Sequence, residues 1–233
     1  MAPIRTYSDW NKRPSDDEVK KEPYRKYFFI CEGVNTEVWY FEKLIDMRKQ
    51  LGIHPLIDIR LMERTDEDRG YSNPKALIEF ANAQKKITEN KFDPKHDKMV
   101  IVFDADIYKN KSDEYLEILE KGRVDNILGV TNPSFELFLL LHYEGVYEEI
   151  IEPNLDEILE NTKIKKRRYI TILFTDKSGM NPKENPHIGE LANNIDIAIK
   201  QEKKLNQNPD LAIGNLTSNI GSIIEMIRND EAN

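Results

Sequence analysis

Three acidic residues close apolar runs. Glu32 follows Tyr27-Phe-Phe-Ile-Cys31, and Asp104 and Asp106 follow Lys98-Met-Val-Ile-Val-Phe103. Each run is short, uninterrupted and rich in aromatic or β-branched residues, as in a buried strand. Residues i and i+2 on an extended segment project to the same side, so Asp104 and Asp106 are expected to aim at one volume. Two carboxylates there repel, and one holds its proton more tightly. A divalent cation removes that cost. Mg²⁺ suits the place because it takes oxygen ligands, keeps several waters, and binds through one or two carboxylates plus phosphate oxygens. The chemistry indicated is metal-assisted work on a phosphate. A D-x-D alone also serves as a helix cap or a solvated turn. Its place after an unbroken apolar strand, with another acid after a second strand, favours the metal. The four histidines, at 54, 96, 142 and 187, include no pair at ligand spacing, which disfavours zinc.

These acids need a scaffold, and strand and helix signals alternate along the chain. After the first run, Thr36 is placed to cap a helix whose face carries Val38, Phe41, Leu44 and Ile45. Leu56–Leu61 alternates like a strand. Asn73-Pro74 opens a helix with proline at its first position, and Leu77, Phe80, Ala81 and Gln84 mark its face. The run 98–103 is continuous, as in a central parallel strand covered on both sides. Ser112 is placed to cap a helix carrying Tyr115, Leu116 and Leu119. Asn126–Thr131 reads as a fourth strand, and Asn132-Pro133 opens a helix over Ser134–Tyr143. Four strand–helix units imply an α/β fold: a parallel sheet with right-handed crossovers and helices on both faces. Ligands of such sheets bind at the carboxyl ends of the strands, where the three acids lie.

Residues 1–23 are polar and read as an extension, 24–145 as the α/β domain, and 146–233 as a mainly helical C-terminal extension. In the last segment, Ile188, Leu191, Ala192, Ile195 and Ile199 form one helical stripe. Ile220, Ile223, Ile224 and Ile227 form another, and Gln201–Asn208 between them is polar. Tyr169–Phe174 has strand-like composition but no neighbouring strand signal. The chain has 233 residues and one cysteine, so no disulfide scaffold is present. It has no apolar run of about 18 residues, the minimum for a membrane helix. Its first residues lack a signal peptide's apolar stretch. A cytoplasmic protein with no membrane partner is expected, with Cys31 reduced. The net charge is −8, yet residues 160–205 carry ten basic and six acidic side chains, so an acidic body holds one basic segment.

The motifs carry a family resemblance. Ile30-Cys-Glu-Gly-Val-Asn-Thr-Glu-Val-Trp-Tyr-Phe41, Val102-Phe-Asp-Ala-Asp106, Asn132-Pro-Ser-Phe-Glu-Leu-Phe-Leu-Leu-Leu-His142 and Asn215-Leu-Thr-Ser-Asn-Ile220 together resemble the RloB-like family of the TOPRIM superfamily. The resemblance spans roughly residues 25–228. It implies a TOPRIM-type parallel sheet in which Glu32, Asp104 and Asp106 are the metal and catalytic acids, with Glu32 a ligand or general acid/base. It also implies Mg²⁺ (or Mn²⁺ in its place) and phosphodiester hydrolysis of DNA or RNA, with tRNA among the candidates. The expected setting is a restriction-associated or phage-defence system. Glu136 belongs to the RloB-like signature. It reads equally as a helix-dipole partner and as a fourth catalytic carboxylate. Glu37 leans toward the dipole role.

Of the remaining groups, Phe135, Phe138, Leu139, Leu141, His142 and Cys31 read as packed interior. The run Lys163, Lys165, Lys166, Arg167 and Arg168 reads as a strand-gripping basic patch rather than a solvated turn. Tyr169 beside it is as well suited to core packing as to stacking on a base. The alternative function is a non-catalytic effector that senses nucleic acid or a nucleotide and acts through a partner ATPase. No G-x-x-x-x-G-K-[ST] is present, so any ATP-driven control is expected from a separate protein. A homo-oligomer is compatible with the sequence.

Overall fold

The computed structural model describes residues 23–62 and 73–232. The expected N-terminal extension lies outside them, apart from Pro23. The sheet is built from β1 (Arg25–Cys31), β2 (Ile57–Leu61), β3 (Lys98–Asp104), β4 (Asn126–Asn132) and β7 (Thr217–Ser218), in the order β2-β1-β3-β4-β7. The first four are parallel, and β7 runs antiparallel to β4. A separate hairpin pairs β5 (Lys163–Ile164) with β6 (Arg167–Arg168).

The side chains of β1 show why both faces are covered. Tyr27, Phe29 and Cys31 join one apolar cluster, while Phe28 and Ile30 join the other. The second cluster is capped by α2 (Pro74–Gln84) and α3 (Ser112–Arg123). The first takes α1 (Thr36–Asp46), α4 (Phe135–Leu140) and four later helices: α5 (Leu155–Glu160), α6 (Tyr169–Ser178), α7 (Ile195–Glu202) and α8 (Ile220–Arg228). Every residue of α4 is buried, so this helix is central rather than amphipathic. Truncating Phe138 to Ala there would cost about 3–5 kcal/mol.

An α/β fold with a parallel sheet and helices on both faces is thus present, as the sequence implies. Several local expectations change. Asn73 caps α2 by accepting from the Ala76 amide at 3.0 Å, as its sequence position suggests. Thr36 and Ser112 are first helical residues instead of caps. The Thr36 hydroxyl donates to the Pro182 carbonyl at 2.6 Å, which ties α1 to a distant segment. Leu116 is exposed, and Ile118 takes its place in the core. Tyr169–Phe174 is helical, because Ile170 and Phe174 are buried four residues apart. The stripe from Ile188 begins in a 3-10 stretch over Pro186–Asn194 and continues into α7.

β7 ties the C-terminal segment to the sheet, and so does Asn219, whose side chain imitates a strand: Oδ1 accepts from the Val130 amide at 2.7 Å and Nδ2 donates to the Leu128 carbonyl at 2.9 Å. Among the described residues, no helix is long and apolar enough to cross a membrane.

Candidate active site at the carboxyl edge of the sheet

Glu32 leaves β1 with its amide still in the ladder, donating to the Val102 carbonyl at 2.9 Å. Its side chain turns toward β3, where Oε2 accepts from the Asp104 amide at 3.1 Å. Two acids 72 residues apart in sequence therefore meet at one rim. Asp104 also accepts a hydrogen bond from Thr131 Oγ1 at 2.5 Å, supplied by the end of β4. Glu136, in the first turn of α4, is buried, with Oε2 accepting from Ser134 Oγ at 2.5 Å. Glu37, in the first turn of α1, is buried too, and its carboxylate lies over Gly33.

These acids act on one another. Burial pushes the Asp104 carboxyl well above its usual range. The charges of Glu37, Glu136 and Glu32 push it further, and the Thr131 hydrogen bond opposes them. Asp106 is raised as well, first by burial, with Glu136 adding and with Arg168 and the Ile107 amide opposing. Glu136 is therefore the common neighbour of both aspartates. The two do not lie along one extended segment. Ala105 has helical angles and Asp106 begins a 3-10 turn over Asp106–Tyr108, so the chain bends between them. Asp106 stands 3.4 Å from Arg168, at the end of the β5–β6 hairpin.

Among the described residues, two cations pair with acids of the rim. Arg168 is one. The other is Lys183, with Nζ 3.2 Å from Glu136 Oε1. Burial lowers the Lys183 ammonium, yet Glu136, Glu37 and Asp104 together raise it above the usual lysine value. Among the described residues, no three His, Cys, Asp or Glu side chains converge to enclose an ion. The donors present are nevertheless hard carboxylate oxygens, crowded at one rim. That set fits a hydrated Mg²⁺ bound through few protein ligands better than a dehydrated, fully caged ion.

The basic run forms the β5–β6 hairpin. Lys163, Lys165, Lys166, Arg167 and Arg168 are all exposed, and Lys165 and Lys166 make its turn with φ of 48° and 74°. His142 is interior. The Tyr40 hydroxyl lies 2.8 Å from Nε2, and Nδ1 lies 3.1 Å from the Phe138 carbonyl. The carbonyl requires the proton on Nδ1, so Nε2 accepts from Tyr40. Burial pushes this imidazole down to about 4, which leaves it neutral. Cys31 is buried core, and Tyr169 packs against the core while its hydroxyl donates to Asn154 at 2.8 Å.

Sequence reasoning passed over Thr131 and Lys183 and set Glu37 aside as a helix-dipole residue. Thr131 was visible as the polar end of an apolar strand. Nothing local marks Lys183, whose position is fixed by the strap that Thr36 and Asn35 hold through the carbonyls of Pro182 and Lys183.

No curated protein and no solved structure is significantly similar to the chain. The family model described as RloB-like protein matches residues 27–227. The chain belongs to the RloB-like protein family.

Proposed function

We propose that this protein is a Mg²⁺-dependent nuclease of the TOPRIM type that hydrolyses phosphodiester bonds in DNA or RNA, tRNA included, within a restriction-associated or phage-defence system. The observation that carries this reading is the hydrogen bond joining Glu32 to Asp104, with Glu37 and Glu136 crowding the same rim. Asp104 and Asp106 would hold the ion, which when bound polarises the scissile phosphate and favours a deprotonated water. Thr131 orients the Asp104 carboxylate. The Asp104 amide fixes Glu32, which serves as the acid–base group. Lys183 limits repulsion at Glu136 and is placed to meet phosphate charge. The exposed hairpin grips the strand, which lets an acidic protein hold a polyanion.

The test is a cleavage screen of purified protein against DNA, tRNA and other RNA with Mg²⁺ or Mn²⁺, beside Asp104→Asn. Undiminished cleavage in that variant would rule out this site. A hairpin variant, Lys165→Asn with Lys166→Gly, keeps a turn suited to positive φ while removing two charges. It should weaken binding evenly across sequences and make the salt slope shallower by about two.

The second reading, an effector working through a partner ATPase, is favoured by the ion pairs Lys183–Glu136 and Arg168–Asp106, which already offset two of the acids. Cleavage that appears only when the partner is added would separate a regulated nuclease from an isolated one. No cleavage under either condition would favour the effector.

A further inference from the structure

The two ion pairs of the rim differ in what they hold. Lys183 pairs with Glu136, which is not one of the two proposed ligands of the ion, so nothing requires that pair to break. Arg168 pairs with Asp106, which is one of them, with NH2 3.4 Å from Oδ2. A guanidinium and a divalent cation then compete for one carboxylate, and their like charges repel. Asp106 cannot serve both equally well.

Arg168 is built to let go. Its contact with Asp106 is longer than a charge-assisted hydrogen bond, and both side chains reach solvent, at 47% and 23% exposed. Such exposed pairs are weak. Its backbone is fixed independently of that contact. Arg168 immediately precedes α6, which is anchored by buried Ile170 and Phe174, and the neighbouring Tyr169 amide donates to the Thr162 carbonyl at 3.1 Å. The guanidinium can therefore swing while the hairpin stays in place. NH1 donates to the Asn161 carbonyl at 3.2 Å, which keeps the head beside the rim. A guanidinium carries five N–H groups, so one carbonyl and one loose carboxylate use only part of the set. Asp106 and Arg168 also line the same cavity of about 280 Å³, which gives a phosphate room to approach both. The planar fork of arginine matches phosphate oxygens in pairs.

We infer that Arg168 exchanges partners: it holds Asp106 while the rim is free of metal, and passes to a phosphate of the substrate strand when Asp106 takes the ion. The inference rests on the nuclease reading, because it needs an ion at Asp106 and a phosphate beside it. One consequence is that metal and strand favour each other. Without a strand, Arg168 opposes the metal. A strand phosphate gives the guanidinium another partner and removes the opposition. By linkage, the metal tightens strand binding by the same factor. The rim is thereby loaded with metal most readily when substrate is present.

The experiment reads two affinities on the whole protein. Mg²⁺ alone is titrated by the shift in melting temperature. Short single strands are titrated with Ca²⁺ in place of Mg²⁺, so that binding is read apart from cleavage. Arg168→Gln removes the charge and keeps a polar side chain. Mg²⁺ alone should bind it about threefold more tightly, the scale of one exposed ion pair. Strand binding should weaken about tenfold, the scale of one hydrogen bond to a charged group. Its salt slope should become shallower by about 0.7, one phosphate contact on a single strand. The opposite signs are the signature, because a merely structural role would weaken both. Arg168→Lys keeps the charge without the fork, so Mg²⁺ affinity should stay near wild type while strand binding is only partly recovered. Mg²⁺ affinity that is unchanged or weaker in folded Arg168→Gln overturns the competition, and unchanged strand binding overturns the transfer to phosphate. If that variant does not fold, undiminished strand binding in folded Arg168→Lys overturns the inference. The nuclease reading fails separately: no cleavage with Mg²⁺ alongside the opposite shifts leaves the exchange standing, and cleavage without those shifts does the reverse.

Discussion

Two acidic residues of this protein sit in shielded places and are treated in opposite ways. Glu202, at the end of α7, is sealed from solvent and surrounded by donors: Ser218 Oγ at 2.5 Å, the Gly221 amide at 2.9 Å and the Ser222 amide at 2.8 Å. The two amides belong to the first turn of α8, whose dipole favours an anion. Asp104 is only partly covered, takes hydrogen bonding from Thr131, and faces Glu37, Glu136 and Glu32. Burial raises both carboxyls above the usual range. Donors then pull Glu202 back, whereas other acids drive Asp104 further up. A carboxylate that holds a fold is supplied with its donors by the fold. A carboxylate crowded by other acids instead holds its proton more tightly, as Asp104 does.

The sharpest way to break this contrast is Asp104→Asn. Cleavage should fall by about 10³-fold or more, because losing the ion forfeits several kcal/mol of charge stabilisation at the phosphate. Stability should move the other way. A carboxyl raised in the folded state binds protons more tightly there than in the unfolded chain. Folding is therefore less favourable as pH rises from the unfolded value of about 3.9 through the raised folded one. The variant removes that loss, so its melting temperature at pH 7 should rise and its stability should depend less on pH. A variant that loses both stability and activity would make Asp104 a structural residue like Glu202.

Glu202→Ala tests the other side. Two buried donors, Ser218 Oγ and the Gly221 amide, lose their acceptor along with the part-buried Ser222 amide, and the loss of stability should be about 3 kcal/mol. Denaturant unfolding measures it. Cleavage by the fraction that stays folded should remain near wild type. Cation binding then sharpens the difference. Mg²⁺ at 100 times its dissociation constant should stabilise the wild type by about 2.7 kcal/mol. The same shift should survive in a folded Glu202→Gln protein and vanish in Asp104→Asn, as read by thermal melting.

How far the sequence revealed this contrast depended on distance along the chain. The runs 27–31 and 98–103 announced β1 and β3, and with them the sheet edge where Glu32 and Asp104 meet, because a strand buried on both faces must be apolar throughout. Glu202 was invisible. It sits in the polar stretch from Gln201 to Asn208, and its donors come from Ser218 and α8, 16 to 20 residues away. β7 is two residues long, too short for any period, and the Asn219 side chain completes its pairing. α6 was hidden by β-branched composition, and the spacing of Ile170 and Phe174 on the core overrode that preference. Glu37 looked like an ordinary first-turn acid, and only packing of α1 beside the rim gives it Asp104 as a neighbour.

Two glycines provide the finest comparison, because each lies against one of these carboxylate systems. A Cβ on Gly221 would come 2.8 Å from Glu202 Oε2, and one on Gly33 would come 1.9 Å from Glu37 Oε2. Glu202 cannot shift without losing its donors, so Gly221→Ala should cost stability, by about 1–3 kcal/mol as overpacking does, and leave the cleavage rate alone. Glu37 is a side-chain end that has to move aside. Gly33→Ala should therefore cost less stability, since moving Glu37 away removes the foremost of the charges that raise Asp104. Its effect should appear instead as a modest fall in cleavage and a smaller Mg²⁺ shift in melting. If Gly33→Ala destabilises as much as Gly221→Ala and cleaves normally, Glu37 is interior packing, and the crowded rim is reduced to Glu32, Asp104 and Glu136.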